Sequence, residues 1–339
     1  MFTGVNNFLN RFLIFYIIIF KKNDNHSALI VSYNLTIEKY LMRRGQMKKL
    51  ILSILSFVCF IFATDDIIQA DKIIQEINSG KDVKYSNCII EGDLDLTELK
   101  SMRKNNYFFG NDQYVCYVDV NIHFTDCIFE GDVQGYKYLD HKNDSYASKF
   151  EKDVYFKNCT FNKLSEFKHS EFKDEVEFSG CIFNNEANFK HASFDKNVNF
   201  TNNKYESEAN FKHATFREDA DFSGSSFKRE ANFKHANFSE NADFKNTTMK
   251  REGNFKHTSF SGVAIFKNSY FHDEANFKHT NFDDLADLSG AILDGEANFE
   301  HTDFEHKLII EGTEFNGDIE ADHTSIGGDS FAEYLLKNR

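Results

Sequence analysis

The 339-residue sequence contains no proline and no tryptophan, and it also lacks the short motifs of the common catalytic chemistries. There is no G-x-S-x-G, H-E-x-x-H, Walker-type loop or G-x-G-x-x-G, so no motif supports an enzyme. The six cysteines form no C-x-x-C pair, which disfavours both a zinc site and a small disulfide scaffold. The formal charge of −14 disfavours a protein that grips a nucleic-acid backbone. We therefore predict a non-enzymatic protein without a cofactor.

Two apolar segments, residues 8–20 and 47–64, come before the rest of the chain. The second opens with Met47 and two lysines, continues without charge to Phe62 and then reaches a small residue, as a secretory signal does. It is short for a membrane-spanning helix. We therefore expect residues 47–64 to be a signal peptide, Met47 to be the functional start and residues 1–46 to be an upstream extension.

The alternative is that residues 1–46 form an N-terminal anchor and that both apolar segments associate with a membrane. Either interpretation predicts a body that is secreted or attached to the cell envelope. Residues 1–64 hold 8 of the 39 Lys and Arg and 2 of the 53 Asp and Glu, which leaves 31 against 51 and a net charge of −20 for the body.

Phenylalanine is what the sequence has in excess, with 39 residues, and its distribution is periodic. The segment Ala-Asn-Phe-Lys-His at Ala187 returns with few changes at positions 209, 231, 253, 275 and 297, which is a 22-residue period. Within each unit the large apolar residues are five and six apart in alternation, and a small residue precedes each by two. Residues two apart on an extended segment point the same way. We therefore predict coils of four short sides that direct Phe inward and pair with the next coil.

The unit of a small residue, a polar residue, Phe and two polar residues, as in Ala220-Asp221-Phe222-Ser223-Gly224, resembles the pentapeptide-repeat family. The resemblance covers about residues 83–328. It implies an all-β fold, a right-handed quadrilateral β-helix, and the handedness follows from the resemblance alone. This chain departs from the family pattern in its 5/6 alternation and in its use of Phe where Leu is commoner.

Coil starts are predicted at residues 83, 122 and 154 and then at the constant interval of the repeat up to residue 308, which gives about ten coils. The irregular spacing of the first starts places insertions near residues 97–119 and 134–149. Gly or Asn, the residues that tolerate positive φ, occupies one corner of each coil from Asn158 to Gly312. We predict helical caps at residues 65–82 and 329–339, the second with a capping-box pattern.

Eight histidines recur at the same interval, at the opposite corner: His169, His191, His213, His235, His257, His279, His301 and His323. We expect their imidazoles to stack along the solenoid, and we expect acidification to destabilise it, because close imidazoles repel when charged. The alternative is a metal site, with Zn²⁺ or Cu²⁺ shared by neighbours among His191, His213, His235, His257 and His279. The lysine that precedes most of these histidines opposes a cation.

The most uniform surface carries three further columns of residues. The Asn column is Asn188, Asn210, Asn232, Asn254, Asn276 and Asn298; the Lys column is Lys168, Lys190, Lys212, Lys234, Lys256 and Lys278; the Glu column is Glu186, Glu208, Glu230, Glu252, Glu274 and Glu296. A flat array at a fixed interval could bind a repetitive partner such as a surface polysaccharide, with Asn188, Lys190, Asn210, Lys212, Asn232 and Lys234 as candidate contacts. The alternative is that duplication copied the unit and that the charges only keep the surface solvated.

The insertions are the other candidate surface, because binding residues often lie on loops. The alternative is that they pack as a flap over the side of the first coils. Tyr107, Phe108 and Phe109 in the first insertion are its candidate contacts. Four cysteines, Cys88, Cys127, Cys159 and Cys181, fall at inward positions and are predicted to be buried thiols.

The leading functional hypothesis is an exported or membrane-associated scaffold that presents these columns and two aromatic-rich loops to a protein or a cell-surface polymer, with no nucleic acid as partner. The alternative, which the family resemblance implies, is an acidic DNA mimic that modulates a topoisomerase such as gyrase. The charge of −20 fits the mimic, whereas the signal-like segment and the Lys column do not.

Overall fold

A computed structural model describes residues 66–105 and 112–338 of the chain. The chain divides into two units, residues 1–64 and 65–339, and the second is a four-sided β-solenoid. The predictions for residues 1–46 and 47–64 lie outside the described residues.

Each coil contributes one short strand to each of four sheets, which we name I to IV in chain order. Sheet I contains Val83–Ser86, Ile122–Thr125, Val154–Lys157, Val176–Ser179, Val198–Asn199, Ala220–Asp221, Ala242–Asp243, Ala264–Ile265, Ala286–Asp287 and Leu308–Ile309. Sheet II contains Asp66–Gln69, Cys88–Glu91, Ile128–Phe129, Thr160–Phe161, Ile182–Phe183, Lys204–Tyr205, Ser226–Phe227, Thr248–Met249, Tyr270–Phe271, Ile292–Leu293 and Glu314–Phe315. Sheet III contains Leu94–Asp95, Val133–Gln134, Ser165–Glu166, Ala187–Asn188, Ala209–Asn210, Ala231–Asn232, Gly253–Asn254, Ala275–Asn276, Ala297–Asn298 and Ile319–Glu320. Sheet IV contains Arg103–Asn105, Gln113–Val118, Tyr136–Leu139, Asp144–Phe150, Glu171–Phe172, Ser193–Phe194, Thr215–Phe216, Asn237–Phe238, Ser259–Phe260, Asn281–Phe282, Asp303–Phe304, Ser325–Ile326 and Asp329–Ser330.

The strand register confirms the predicted coil boundaries. Val176 pairs with Val198 in a parallel ladder, and Ile122 pairs with both Val83 and Val154, which spans the two insertions. Sheets I and III have ten strands each within the described residues, as ten coils require. The solenoid has about twelve turns when incomplete ones at its ends are counted.

The core is a continuous stack of aromatic rings, which explains the excess of Phe. Phe211 lies parallel to Phe233 on the next coil, with ring centroids 5.0 Å apart and an interplanar angle of 3°. The same ring meets Phe222 edge to face at 5.2 Å and 85°. Both geometries are favourable for aromatic pairs, so the column of Phe211 and Phe233 and the column of Phe222 stabilise each other. All three rings are fully buried.

Positive φ confirms the predicted Gly/Asn corner, with 53° at Asn158, 64° at Gly180 and 70° at Gly312. The inward cysteines are buried as predicted, and the Cys88 and Cys127 sulfurs on neighbouring coils lie 3.2 Å apart.

The N-terminal cap is only partly the helix that was predicted for residues 65–82. The first four described residues form a strand, Asp66–Gln69, that pairs in parallel with Cys88–Glu91, and helix α1 covers only Ala70–Asn78. The cause is the unpaired edge of the first coil, which accepts a further strand. Ile67 is consequently 58% exposed rather than part of the buried helix face, whereas Ile73 and Ile77 are buried.

At the other end, helix α2 covers Phe331–Asn338 and confirms the predicted cap. Its capping box is formed: the Ser330 backbone N–H donates to the Glu333 carboxylate at 3.2 Å, and the Glu333 N–H donates to the Ser330 hydroxyl at 3.4 Å. Phe331 stacks on Phe299 with centroids 5.0 Å apart, which covers the end of the ring column.

Candidate binding surface

The corner between sheets III and IV carries the Lys and His columns, and its backbone repeats on every coil. The His213 N–H donates to the Lys234 carbonyl at 3.0 Å, and the His235 N–H donates to the Lys256 carbonyl in the same way. Each histidine of the column has φ between 55° and 59°. The second corner is therefore also left-handed, which sequence reasoning missed because it assigned positive φ only to Gly and Asn. Histidine is enriched in this region relative to most other residues, which is the signal that could have revealed it.

The imidazoles stack as predicted. From His169 to His301 neighbouring ring centroids lie 4.6 to 4.7 Å apart with interplanar angles of at most 5°, and His301 and His323 lie 4.8 Å apart at 11°. The stack therefore places one imidazole on each coil at the strand spacing.

This geometry disfavours the metal alternative. The lone pair of an imidazole nitrogen lies in the ring plane, so parallel rings direct their lone pairs in parallel and not towards one ion. Among the described residues no group of three or more His, Cys, Asp or Glu side chains is arranged to hold a metal ion.

Burial and neighbouring cations lower the pKa of six histidines of the column, from His169 to His279. Partial burial, followed by the charges of His191, Lys168 and Lys190, lowers the pKa of His169 to about 4. Partial burial is also the largest cause of the lowered pKa of His191, His213, His235, His257 and His279, with smaller contributions from neighbouring lysines and imidazoles. A lowered pKa favours the neutral imidazole, so on these six coils the positive charge near pH 7 comes from lysine.

The Asn column closes the turn before this corner. The Asn188 side-chain oxygen accepts a hydrogen bond from the Lys190 backbone N–H at 3.1 Å, and Asn210 and Asn232 accept from Lys212 and Lys234 at 3.2 Å. These side chains are half-buried. The structure therefore gives the predicted Asn contacts a role in the local fold, and only their amide nitrogens remain for other groups.

Those amide nitrogens hold carboxylates of the same sheet. The Asn254 nitrogen donates to Glu230 at 3.3 Å, and the Asn276 nitrogen donates to Glu252 at 3.2 Å. Burial raises the pKa of Glu252, and the charge of Glu230 adds to the effect. Glu230 and Glu252 of the Glu column are thus held by the Asn column.

The Lys column has partners only at its two ends. Lys278 forms an ion pair with Glu300, and the Lys168 ammonium lies 4.8 Å from the centroid of the Tyr136 ring. Within the described residues no carboxylate forms an ion pair with the four lysines between them: Lys190, Lys212, Lys234 and Lys256. The surface therefore contains four aligned ammonium groups without a counter-charge.

The described residues of the two insertions form strands and not irregular loops. Gln113–Val118 and Asp144–Phe150 pair in parallel, and Arg103–Asn105 and Tyr136–Leu139 flank them in antiparallel pairs. We call these four strands the flap. The polar and aromatic residues of the insertions hid this strand pattern in the sequence. Tyr107, Phe108 and Phe109 lie outside the described residues, so their role as contacts stays a prediction.

The flap reaches the end of the two columns, a contact that the sequence did not reveal. The Tyr136 ring lies 5.2 Å from the His169 ring, between centroids, and Tyr138 is 46% exposed. Aromatic side chains therefore stand beside one end of the Lys column.

No helix within residues 66–105 and 112–338 is long and apolar enough to cross a membrane. A family model described as pentapeptide repeats in nine copies matches residues 147–193, 167–215, 211–259 and 255–303, in overlapping segments. No curated protein and no solved structure matches the chain.

Proposed function

We propose that the protein is a non-enzymatic scaffold, exported or membrane-associated, which binds a partner through its regular surface. The premise is that the coils of residues 147–303 belong to the pentapeptide-repeat family and form its right-handed quadrilateral β-helix. The observation that supports this proposal most directly is the line of four lysines that form no ion pair with any described residue, on a body of charge −20. Isolated ammonium groups are solvated at little cost, but their alignment at one interval provides a repeated contact for a partner.

The signal-like pattern of residues 47–64 supports the location. A basic start, an uncharged stretch and a small residue are what the export machinery recognises. A partner outside the cytoplasm would be a protein or a cell-surface polymer.

Fractionation of cells that express the full chain tests the location. Antibody to the solenoid should detect the protein in the envelope or the medium, and mass spectrometry should find no peptide from residues 34–43. Replacing Lys48 and Lys49 by Glu should retain the protein in the cytoplasm, and the matched change of Lys21 and Lys22 should not. Recovery of the unaltered protein from the cytosol contradicts the proposal.

The second candidate, an acidic mimic of DNA that modulates a topoisomerase, is favoured by the charge of −20 alone. A supercoiling assay with purified gyrase and residues 65–339 separates the two candidates. Inhibition of supercoiling at micromolar protein, together with a cytosolic location, would favour the DNA mimic and contradict the scaffold.

A further inference from the structure

We propose that Lys190, Lys212, Lys234 and Lys256 form a binding line for an extended acidic polysaccharide, a chain of uronic acids with one carboxylate on each sugar. The inference rests on the proposed scaffold function and names the chemical class of its partner.

The first argument is charge complementarity. The four ammonium groups have no carboxylate partner within the described residues, although the Glu column belongs to the same sheet. The Asn column contributes to this, since the amide nitrogens of Asn254 and Asn276 hold Glu230 and Glu252. A partner that binds here must supply its own negative charges, one for each coil.

The second argument is spacing. The adjacent imidazole stack shows that side chains at this corner repeat at 4.6 to 4.8 Å. An extended polyuronate advances by a similar distance per sugar, so its sugars keep in step with the coils. Its successive carboxylates point to different sides of the chain, and the long lysine side chains can reach them from one line of coils. Each strand of B-DNA carries a phosphate about every 3.4 Å and winds around an axis, so it falls out of step with the line.

The third argument concerns the residues at the two ends of the line of lysines. At the C-terminal end Glu300 replaces the lysine of the next coil and neutralises Lys278, and Asp322 follows on the coil after that. At the N-terminal end Lys168 contacts the ring of Tyr136, next to the exposed Tyr138. Sugar rings pack their C–H faces on aromatic rings, so the flap offers the polymer a contact of a second kind. The line is therefore bounded by acidic residues on one side and by aromatic rings on the other.

Isothermal titration of residues 65–339 with polygalacturonate, and with oligogalacturonates of increasing length, tests the proposal. Four lysines in line predict that the affinity rises with length up to at least four sugars, because each added carboxylate meets another lysine. Added salt should weaken the binding, since the lysines are only half-buried at the surface and mobile ions screen charges there.

The decisive variant is Lys212→Gln with Lys234→Gln, which removes two charges from the centre of the line. Its control for the loss of two positive charges is Lys228→Gln with Lys250→Gln, two exposed lysines that are also one coil apart but lie at the corner between sheets II and III, where Lys228 pairs with Glu206. The first variant should lose about tenfold in affinity and the control less than about twofold. Unchanged circular dichroism and melting temperature show that both variants fold.

Three results would overturn the inference: no heat with polygalacturonate, equal losses in the two variants, or tighter binding of duplex DNA or of the uncharged polymer dextran. The test is independent of location. If the protein is exported but does not bind polygalacturonate, the scaffold proposal stands and the proposed polymer is wrong. If the protein is cytosolic and binds polygalacturonate, the proposed location is wrong and the proposed chemistry of the Lys column stands.

Discussion

At the scale of single residues, the solenoid depends on a few polar side chains that occupy inward positions. Asn203 is fully buried; its oxygen accepts the Cys181 backbone N–H at 2.7 Å, and its nitrogen donates to the Phe200 carbonyl at 3.0 Å. The same position on later coils holds Ser269, which donates to the Phe266 carbonyl at 2.7 Å, and Ala291, which has no polar group.

Replacing Asn203 by Ala should lower the free energy of unfolding by about 1–3 kcal/mol, because the buried Cys181 N–H loses its acceptor. Ser269→Ala, at the same position three coils later, is the control and should cost less, since Ala291 shows that the position accepts alanine. Urea unfolding followed by circular dichroism measures both. Equal losses would mean that the network around Asn203 adds nothing beyond its packing.

Sequence reasoning predicted where Asn203 points but not what it binds. The period of five and six residues placed it inside, because a side chain two positions before an inward Phe must face the same way. Its partners are carbonyl and N–H groups of the coil before and of its own turn, and no pattern in the sequence encodes those contacts.

At the scale of the element, the His column links the stability of the solenoid to pH. A lowered pKa means that the unfolded chain, with histidines near 6.5, takes up protons before the folded chain does. The free energy of unfolding should therefore be highest above about pH 6.5 and fall as the pH approaches 4, where His169 titrates. Glu208, Glu252 and Glu274, whose pKa values burial raises above 4.5, act in the opposite direction at the acidic end of this range.

Thermal melts at pH 7 and pH 5 should show a drop in melting temperature that becomes smaller when His191, His213, His235, His257 and His279 are all replaced by Asn. Asparagine is the appropriate replacement because these positions have φ near 58°, which alanine adopts only with strain. A drop of the same size in both proteins would show that other groups carry the pH dependence.

The sheets and the N-terminal cap show which elements the sequence period could predict and which it could not. The 22-residue period predicted the register of all four sheets because every coil repeats its inward residues. It could not predict that Asp66–Gln69 extends sheet II, since the isoleucines there fit the face of a helix equally well. Pairing with Cys88–Glu91, a contact with the next stretch of chain, decides between the two.

At the scale of the described solenoid, the free energy of unfolding should be a sum of contributions from each coil and from its contacts with neighbouring coils, as in other repeat proteins. Deleting residues 275–296 removes one coil and joins Glu274 to Ala297, which restores the sequence pattern. We expect the shortened chain to fold with unchanged ellipticity per residue and a somewhat lower melting temperature.

The control is the deletion of residues 275–295, which is one residue short of a coil. It leaves an extra residue at the junction and turns the following strand by one position, so that its inward and outward side chains exchange places. This chain should melt well below the first variant. Similar melting of the two variants would contradict the assignment of residues 275–296 to one complete coil.

The backbone hydrogen bonds between coils all run along the solenoid axis, as the pairs from Val83 through Ile122 and Val154 to Val176 show for sheet I. A force applied along that axis therefore loads the bonds of one interface directly and detaches the terminal coil before its neighbour feels the strain. Each released coil adds one 22-residue repeat, or about 75 Å of extended chain. When the solenoid is pulled from its two ends, its length should increase in equal steps, and the coils should refold one at a time when the force is released.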